Sequence, residues 1–158
     1  MKFPKTVSAA TAVWLLATSA AWAQVQVEGA WARATVSGQK ATGAFMKLTA
    51  KDGARLIAGS SPVAGVTEIH EMKMEGDTMK MRAVAGLDLP AGKAVELKPG
   101  GYHVMLMDLK QALAKDSKVP LTLVFKDAKG AEVRQELQVP VYTAAPAAGG
   151  HDHGHMKH

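Results

Sequence analysis

The segment from Glu68 to Arg82 reads EIHEMKMEGDTMKMR and has the pattern of a β-hairpin. Residues 76–77, Gly-Asp, fit the two central positions of a tight turn, with glycine first as a type II′ turn prefers. This turn pairs Met72 with Met81 across the two strands. Because side chains alternate along a strand, one face then collects all the soft and imidazole groups: His70, Met72, Met74, Met79 and Met81.

The opposite face of this hairpin is charged, with Glu71 directly across from Arg82. A slip of one residue in the register would mix the two faces, so the sequence specifies the pairing strongly. The side chains of this charged face are acidic, basic or, at one position, polar and uncharged: Glu71, Lys73, Glu75, Thr78, Lys80 and Arg82.

Outward from the hairpin, the chain from residue 25 to residue 142 consists of short apolar or alternating segments separated by turns rich in Gly, Pro and Asp. The one helical pattern, Leu109–Asp116, is interpreted as a connecting turn. This spacing predicts an all-β fold, an antiparallel sandwich or Greek-key barrel of about nine strands. The predicted strands are Gly29–Thr35, Gly43–Thr49, Arg55–Ser60, Val66–Met74, Thr78–Val84, Ala94–Lys98, His103–Leu109, Val119–Phe125 and Glu132–Val141.

The first 23 residues have the pattern of a signal peptide. Lys2 and Lys5 precede an apolar stretch at Val7–Ala17, and residues 21–23, Ala-Trp-Ala, form a cleavage pattern that ends at Ala23. The apolar stretch is shorter than the ~20 residues that span a bilayer. We therefore expect cleavage after Ala23 and a mature protein in the periplasm that does not span the membrane.

The C-terminal residues differ from the rest in composition. Residues 24–142 form the predicted domain, and residues 143–150 form a flexible linker of small residues and proline. Residues 151–158 read HDHGHMKH, which predicts a second metal site, for Cu(II), or else an inert tail. The ligands of that site would be His151, His153, His155, Met156 and His158.

Composition excludes several classes of protein. The 158 residues contain nine Met, six His and no Cys, and the formal net charge is +5. A disulfide scaffold, a zinc–thiolate site, a blue-copper thiolate and a lipid-bearing cysteine are therefore excluded. The basic residues are not clustered, so nucleic-acid binding has no support.

The combination of Met and His without Cys favours copper. Thioether sulfur is a soft, neutral ligand that suits Cu(I), and imidazole accepts either oxidation state. Ordinary packing of methionine and hydrogen bonding of a structural histidine are the alternatives. On that alternative the methionine face of the hairpin would simply belong to the core.

Four residues have the spacing of a known motif. The sequence contains His, ten residues, Met, twenty-one residues, His, one residue and Met, at His70, Met81, His103 and Met105. With its context, residues 97–109 above all, this pattern resembles the periplasmic copper chaperones of the PCuAC type over residues 25–142.

The resemblance implies a cupredoxin-like β-sandwich and a Cu(I) site made by His70, Met81, His103 and Met105. It also implies copper delivery to cytochrome c oxidase assembly, with the copper subunit of the oxidase and Sco-type proteins as partners. Without cysteine, the chain would carry copper but would not reduce a disulfide in its target. Met72, Met74 and Met79 lie outside the motif and would be an entry surface or plain packing.

We therefore expect a monomeric copper metallochaperone that is not an enzyme. Copper storage or resistance would use the same residues and stays open as an alternative. A copper oxidase is disfavoured because four protein ligands leave little room for a substrate at the metal. A metal-free interaction module with a methionine patch is a third possibility.

Overall fold

A computed structural model describes residues 25–147 as an all-β fold without a helix. The leader 1–23 and the tail 151–158 lie outside the described residues. The ten strands are β1 Val25–Arg33, β2 Ala41–Ala50, β3 Ala54–Ser60, β4 Ala64–Glu75, β5 Thr78–Ala83, β6 Leu87–Leu89, β7 Ala94–Leu97, β8 His103–Leu109, β9 Lys118–Asp127 and β10 Glu132–Tyr142.

The strands form two halves that share one core. One half has the order β5-β4-β8-β2-β1, with β7 also paired to β2, and the other has the order β10-β9-β3-β6. The path is open at β5 and β6, so the sandwich expectation fits and a closed barrel does not. Core side chains come from both halves, for example Val104 and Leu106 on β8 and Leu123 and Phe125 on β9.

The sequence led us to expect only antiparallel strands, but one pair of strands is parallel. The halves join where β1 and β10 run parallel, pairing Ala32 with Val141. The register of β1 against β2 shifts between Glu28 and Trp31, and Gly29 there has a φ of +61°, which marks a β-bulge. The bulge bends β1, so that its end leads from one half to the other.

The predicted strand list was one strand short. The extra strand, β6, is three residues long and pairs with β3. A segment of this length is too short to show a period. Leu109–Asp116 contains no helix beyond the end of β8 and is a connection, as predicted. Within residues 25–147 no helix is long and apolar enough to cross a membrane.

Candidate metal site

The hairpin has the predicted register. Strands β4 and β5 pair Met72 with Met81 and Met74 with Met79, and they place Glu71 opposite Arg82. The two-residue turn at 76–77 has Gly76 at a φ of +62°, in the left-handed region that glycine occupies at little cost. The local sequence therefore fixes which hairpin side chains share a face.

Strand β8 lies beside β4 and brings the two domain histidines together. His70 and His103 are direct cross-strand partners, and their ring centroids are 5.8 Å apart. Both side chains are buried. Their neighbours Ile69 and Val104 belong to the core, and side chains alternate along a strand. The histidines thus lie on the face of the sheet that points away from the core, and the core interpretation of this face is wrong.

His103 has one ring nitrogen assigned to the backbone and one facing a thioether. Its Nδ1 lies 3.1 Å from the carbonyl oxygen of Gly101, so Nδ1–H donates there and Nε2 keeps a free lone pair. That Nε2 lies 3.2 Å from Sδ of Met81. Two lone pairs that meet in this way do not attract each other, whereas a soft cation would bind both.

Burial also favours the neutral form of the His103 imidazole. It lowers the pKa of this imidazole below its ordinary value of 6.5, the bond to the Gly101 carbonyl opposes that shift, and the neighbouring His70 adds to it. The ring is therefore kept neutral, which is the protonation state of a metal ligand.

In His70, as in His103, one ring nitrogen is hydrogen-bonded and the other is available to bind a metal. Its Nε2 lies 2.8 Å from a carboxylate oxygen of Glu68, which sets the tautomer with the proton on Nε2. Its Nδ1 is buried and has no hydrogen-bond partner among the described residues. A buried nitrogen without a partner is costly and needs an explanation. A metal bound at Nδ1 would supply one.

Met105 completes the predicted set at the wall of an open pocket of about 340 Å³. It follows His103 by two residues on β8 and so lies on the same face. His70 is not among the residues that line this pocket, and it contacts the site through the ring of His103. The lining residues are Arg33, Gln39, Ala41, Thr42, Gly43, Phe45, Met72, Met81, Pro99, Gly100, His103 and Met105.

The donor set of this pocket is neutral. Of the described residues that line it, Arg33 is the only charged one, and none of them is a carboxylate. No group of three or more His, Cys, Asp or Glu side chains suited to a metal occurs in residues 25–147. Hard divalent ions prefer oxygen, so this arrangement of imidazole and thioether fits Cu(I) better.

Two supporting residues were not given a role from the sequence. Glu68 orients His70, and its position two residues earlier on the same strand face was the available signal. Phe45 lines the pocket and packs against Trp31 with ring centroids 4.8 Å apart, while its ring lies 6.2 Å from that of His103. Phe45 was visible only as an aromatic residue in an alternating strand.

Comparison with known proteins identifies the family of this chain. Residues 25–141 match the family model described as "Putative lipoprotein LpqE-like". The chain belongs to this LpqE-like family. A relative in Leifsonia xyli subsp. xyli, "Putative lipoprotein Lxx21020", is 38% identical over 105 residues, which are 65% of this chain and 63% of the relative. The match thus spans less than two thirds of that relative's length.

Solved structures similar to this LpqE-like chain include PCuAC domains. The apo domain from PmoF1 is 26% identical with a TM-score of 0.58, and the match covers 75% of this chain and 95% of that one. The CuI-bound DR1885 of Deinococcus radiodurans is 29% identical with a TM-score of 0.56, over 80% and 83% of the two chains. The copper-bound domain from PmoF2 shares the fold at 24% identity and a TM-score of 0.59, over 77% and 95%.

The LpqE-like family name indicates an envelope or extracellular location. A lipid-bearing cysteine does not occur among these 158 residues, because none of them is cysteine.

Proposed function

We propose that this LpqE-like protein is a copper metallochaperone that binds one Cu(I) through His70, Met81, His103 and Met105. The observation that carries the proposal is the free Nε2 of His103 facing Sδ of Met81 at 3.2 Å. These two neutral ligand atoms come from residues that are 22 positions apart in the sequence, and they meet at the wall of an open pocket. Such a pair is what a soft monovalent ion requires.

Each ligand has a definite donor atom. His103 would bind through Nε2, because its Nδ1–H is held by Gly101. His70 would bind through Nδ1, because its Nε2–H is held by Glu68. Met81 and Met105 would bind through their sulfur atoms. The copper carried by the PmoF2 domain and the CuI of DR1885 support the choice of metal and oxidation state.

The accessibility of one ligand favours transfer over catalysis. Met81 is 47% exposed on the edge strand β5, whereas both histidines are buried. An incoming ligand can therefore replace Met81 first while the histidines still hold the ion. We propose release by stepwise ligand exchange, with no chemistry on a substrate, and a monomer as the working form.

The acceptor and compartment follow from the proposed class. The predicted leader, with cleavage after Ala23, would place the protein in the periplasm, where the copper subunit of cytochrome c oxidase and Sco-type proteins are the expected partners. Copper storage or resistance is the second candidate, since it would use the same four ligands. The open pocket favours delivery, because storage gains nothing from an exposed ligand.

The C-terminal histidines are proposed as a Cu(II) site that supplies the folded site after an external one-electron reductant has converted the ion to Cu(I). Ala145, Pro146 and Ala147 line a pocket that shares Phe45 and Pro99 with the pocket of His103. Only residues 148–150 separate Ala147 from His151 in the sequence. The histidine segment is thus connected to the domain next to the proposed Cu(I) ligands.

The test is a Cu(I) titration of the mature chain, residues 24–158, against a competing chelator. Met81→Leu keeps the size and apolar character of an exposed residue but removes a ligand, and should weaken binding by about 100-fold or more, since even outer partners of ligands cost 10–100-fold. Met46→Leu, a volume-conserving change in the core, should leave binding unchanged. Equal affinity of both variants and the unsubstituted chain would refute the site.

Delivery is distinguished from storage with the same loaded protein. Cu(I)-loaded chain is mixed with the metal-free copper domain of an oxidase subunit, and transfer is followed by the absorption of the acceptor after oxidation. Transfer within minutes would support delivery. Retention of the metal by this chain, under conditions where the acceptor takes free Cu(I), would favour storage.

A further inference from the structure

The tip of the β4–β5 hairpin exposes methionine that the proposed site does not use. Five large apolar side chains are well exposed in residues 25–147, and three of them are Met74, Met79 and Met81 on this one hairpin. Met74 is 54% exposed and Met79 is 44% exposed. Plain packing, one of the two interpretations of these residues from the sequence, is therefore wrong for both.

These methionines form a ladder of two rungs. Met72 pairs with Met81, and Met74 pairs with Met79, on the same face of the hairpin. Residues directly opposite in an antiparallel pair have Cβ atoms about 5 Å apart, and successive rungs on one face are about 7 Å apart. The flexible thioether side chains of one rung can therefore meet on a single ion.

The cross-strand ion pairs of the hairpin do not involve this ladder. The opposite face is held by Arg82, which lies 2.6 Å from a carboxylate oxygen of Glu71, and by Lys80, which lies 2.9 Å from Glu75. Arg82 and a hydrogen bond from Tyr102 lower the pKa of Glu71, so this carboxylate stays charged. Met74 and Met79 take no part in these ion pairs.

The inner rung reaches the proposed copper ligands. Met72 and Met81 both line the pocket of His103, and Sδ of Met81 contacts the His103 ring. The backbone N–H of Met72 also donates to the carbonyl of Gly101, which fixes this rung against the loop before β8. The outer rung of Met74 and Met79 lies one step further from the pocket along the same face.

We propose that Met74 and Met79, with Met72, form an outer Cu(I) station that receives the ion and passes it inward. The ion moves by exchange of one thioether for another, from the outer rung to Met72 and Met81 and then to the imidazoles, with no change of oxidation state. The station is selective for Cu(I), because it offers neutral sulfur only. It rests on the proposed function, since the ion that it passes inward goes to Met81, a ligand of the proposed folded site.

The experiment follows the methyl resonances of all methionines by NMR while Cu(I) is added without oxygen to the mature chain. The first equivalent should shift Met81 and Met105, and the second should shift Met72, Met74 and Met79. In the double variant Met74→Leu, Met79→Leu the first step should persist, and the shift of Met72 at the second equivalent should be lost. Because both replaced residues are exposed, the variant should fold normally, which circular dichroism verifies.

Each outcome separates the two proposals. If Met74 and Met79 stay unshifted while the second equivalent reaches only Met156 of the tail, the outer station is refuted and the inner site stands. If the first equivalent fails to shift Met81 and Met105, the proposed function itself is refuted. Met46→Leu serves as the control, because it removes a buried thioether and should alter neither step.

Discussion

Glu68 and His70 lie two residues apart on β4, and a carboxylate oxygen of Glu68 accepts a hydrogen bond of 2.8 Å from Nε2 of His70. Adjacent residues of a strand point to opposite faces, so only this spacing of two allows the contact. The carboxylate sets both the orientation and the tautomer of the ring. His70 then has Nδ1 as its one available donor atom, buried and without a partner among the described residues.

Removal of the Glu68 carboxylate should weaken Cu(I) binding without removing a ligand. We expect Glu68→Ala to lower the affinity about 10–100-fold, the usual cost of losing a partner that orients a metal-binding histidine. Glu68→Gln retains an oxygen that can accept the same bond and should have a smaller effect. Competition with a Cu(I) chelator measures both. Unchanged affinity in Glu68→Ala would show that orientation of His70 is unimportant, whereas equal losses in the two variants would assign the effect to the carboxylate charge.

His103 in the metal-free protein should titrate below the ordinary imidazole pKa of 6.5, because burial disfavours its charged form. Above 6.5 the ring is neutral in folded and unfolded chains, and its ionisation has no effect on stability. As the pH falls below 6.5 the unfolded chain binds the proton first, so the free energy of unfolding decreases until the folded pKa is reached. An NMR titration of the ring protons measures this pKa. A value at or above 6.5 would contradict the burial of the ring.

Gly43 should not tolerate a side chain. A Cβ at this position would lie 2.8 Å from the ring of Phe45, which is buried against Trp31 and beneath the Arg33 guanidinium. We expect Gly43→Ala to destabilise the fold by about 1–3 kcal/mol, the usual cost of overpacking. Urea denaturation measures the change.

Gly101→Ala is the matched control for that substitution. A Cβ at Gly101 would make only ordinary contacts of 3.6 Å with Lys98, and the backbone there does not require glycine. Its stability should be unchanged or slightly higher, since alanine restricts the unfolded chain. If Gly43→Ala were as stable as Gly101→Ala, Phe45 would not be a fixed wall of the pocket.

The sequence predicted the local parts of this site better than the distant ones. The hairpin register was predictable because the turn at 76–77 and the charged partner face both specify the same pairing of Met72 with Met81. The alternation of β8 likewise placed His103 and Met105 on one face. These relationships depend only on period and turn geometry, which neighbouring residues determine.

The relationships that did not follow from the residue pattern alone depend on long-range packing. The parallel joining of β1 to β10 comes directly after a bulge in β1, and a bulge has no strong pattern of its own in the sequence. The meeting of Nε2 of His103 with Sδ of Met81 required β8 to lie beside β4, a neighbour relation that only the folded sheet order supplies. The family resemblance implied that His103 and Met81 lie close together, but the residue pattern by itself did not predict it.

Deletion of residues 151–158 should remove Cu(II) binding and leave Cu(I) binding by the folded site unchanged. The four histidines of this segment are ordinary Cu(II) ligands, whereas the folded site presents soft donors that suit Cu(I). Isothermal titration with Cu(II), and chelator competition with Cu(I), measure the two sites separately. Loss of both activities on deletion would contradict independent sites.

The place at which residues 151–158 are attached to the domain leads to a second prediction, which concerns the rate of copper loading. Residues 145–147 line a pocket that shares Phe45 with the pocket of His103, so copper held on the segment is tethered near the inner ligands. With one equivalent of Cu(II) and ascorbate as reductant, the full chain should load the folded site faster than a variant with all four tail histidines changed to Ala. That variant keeps the length of the chain and so isolates the imidazoles. Equal loading rates would mean that the segment binds copper without supplying it.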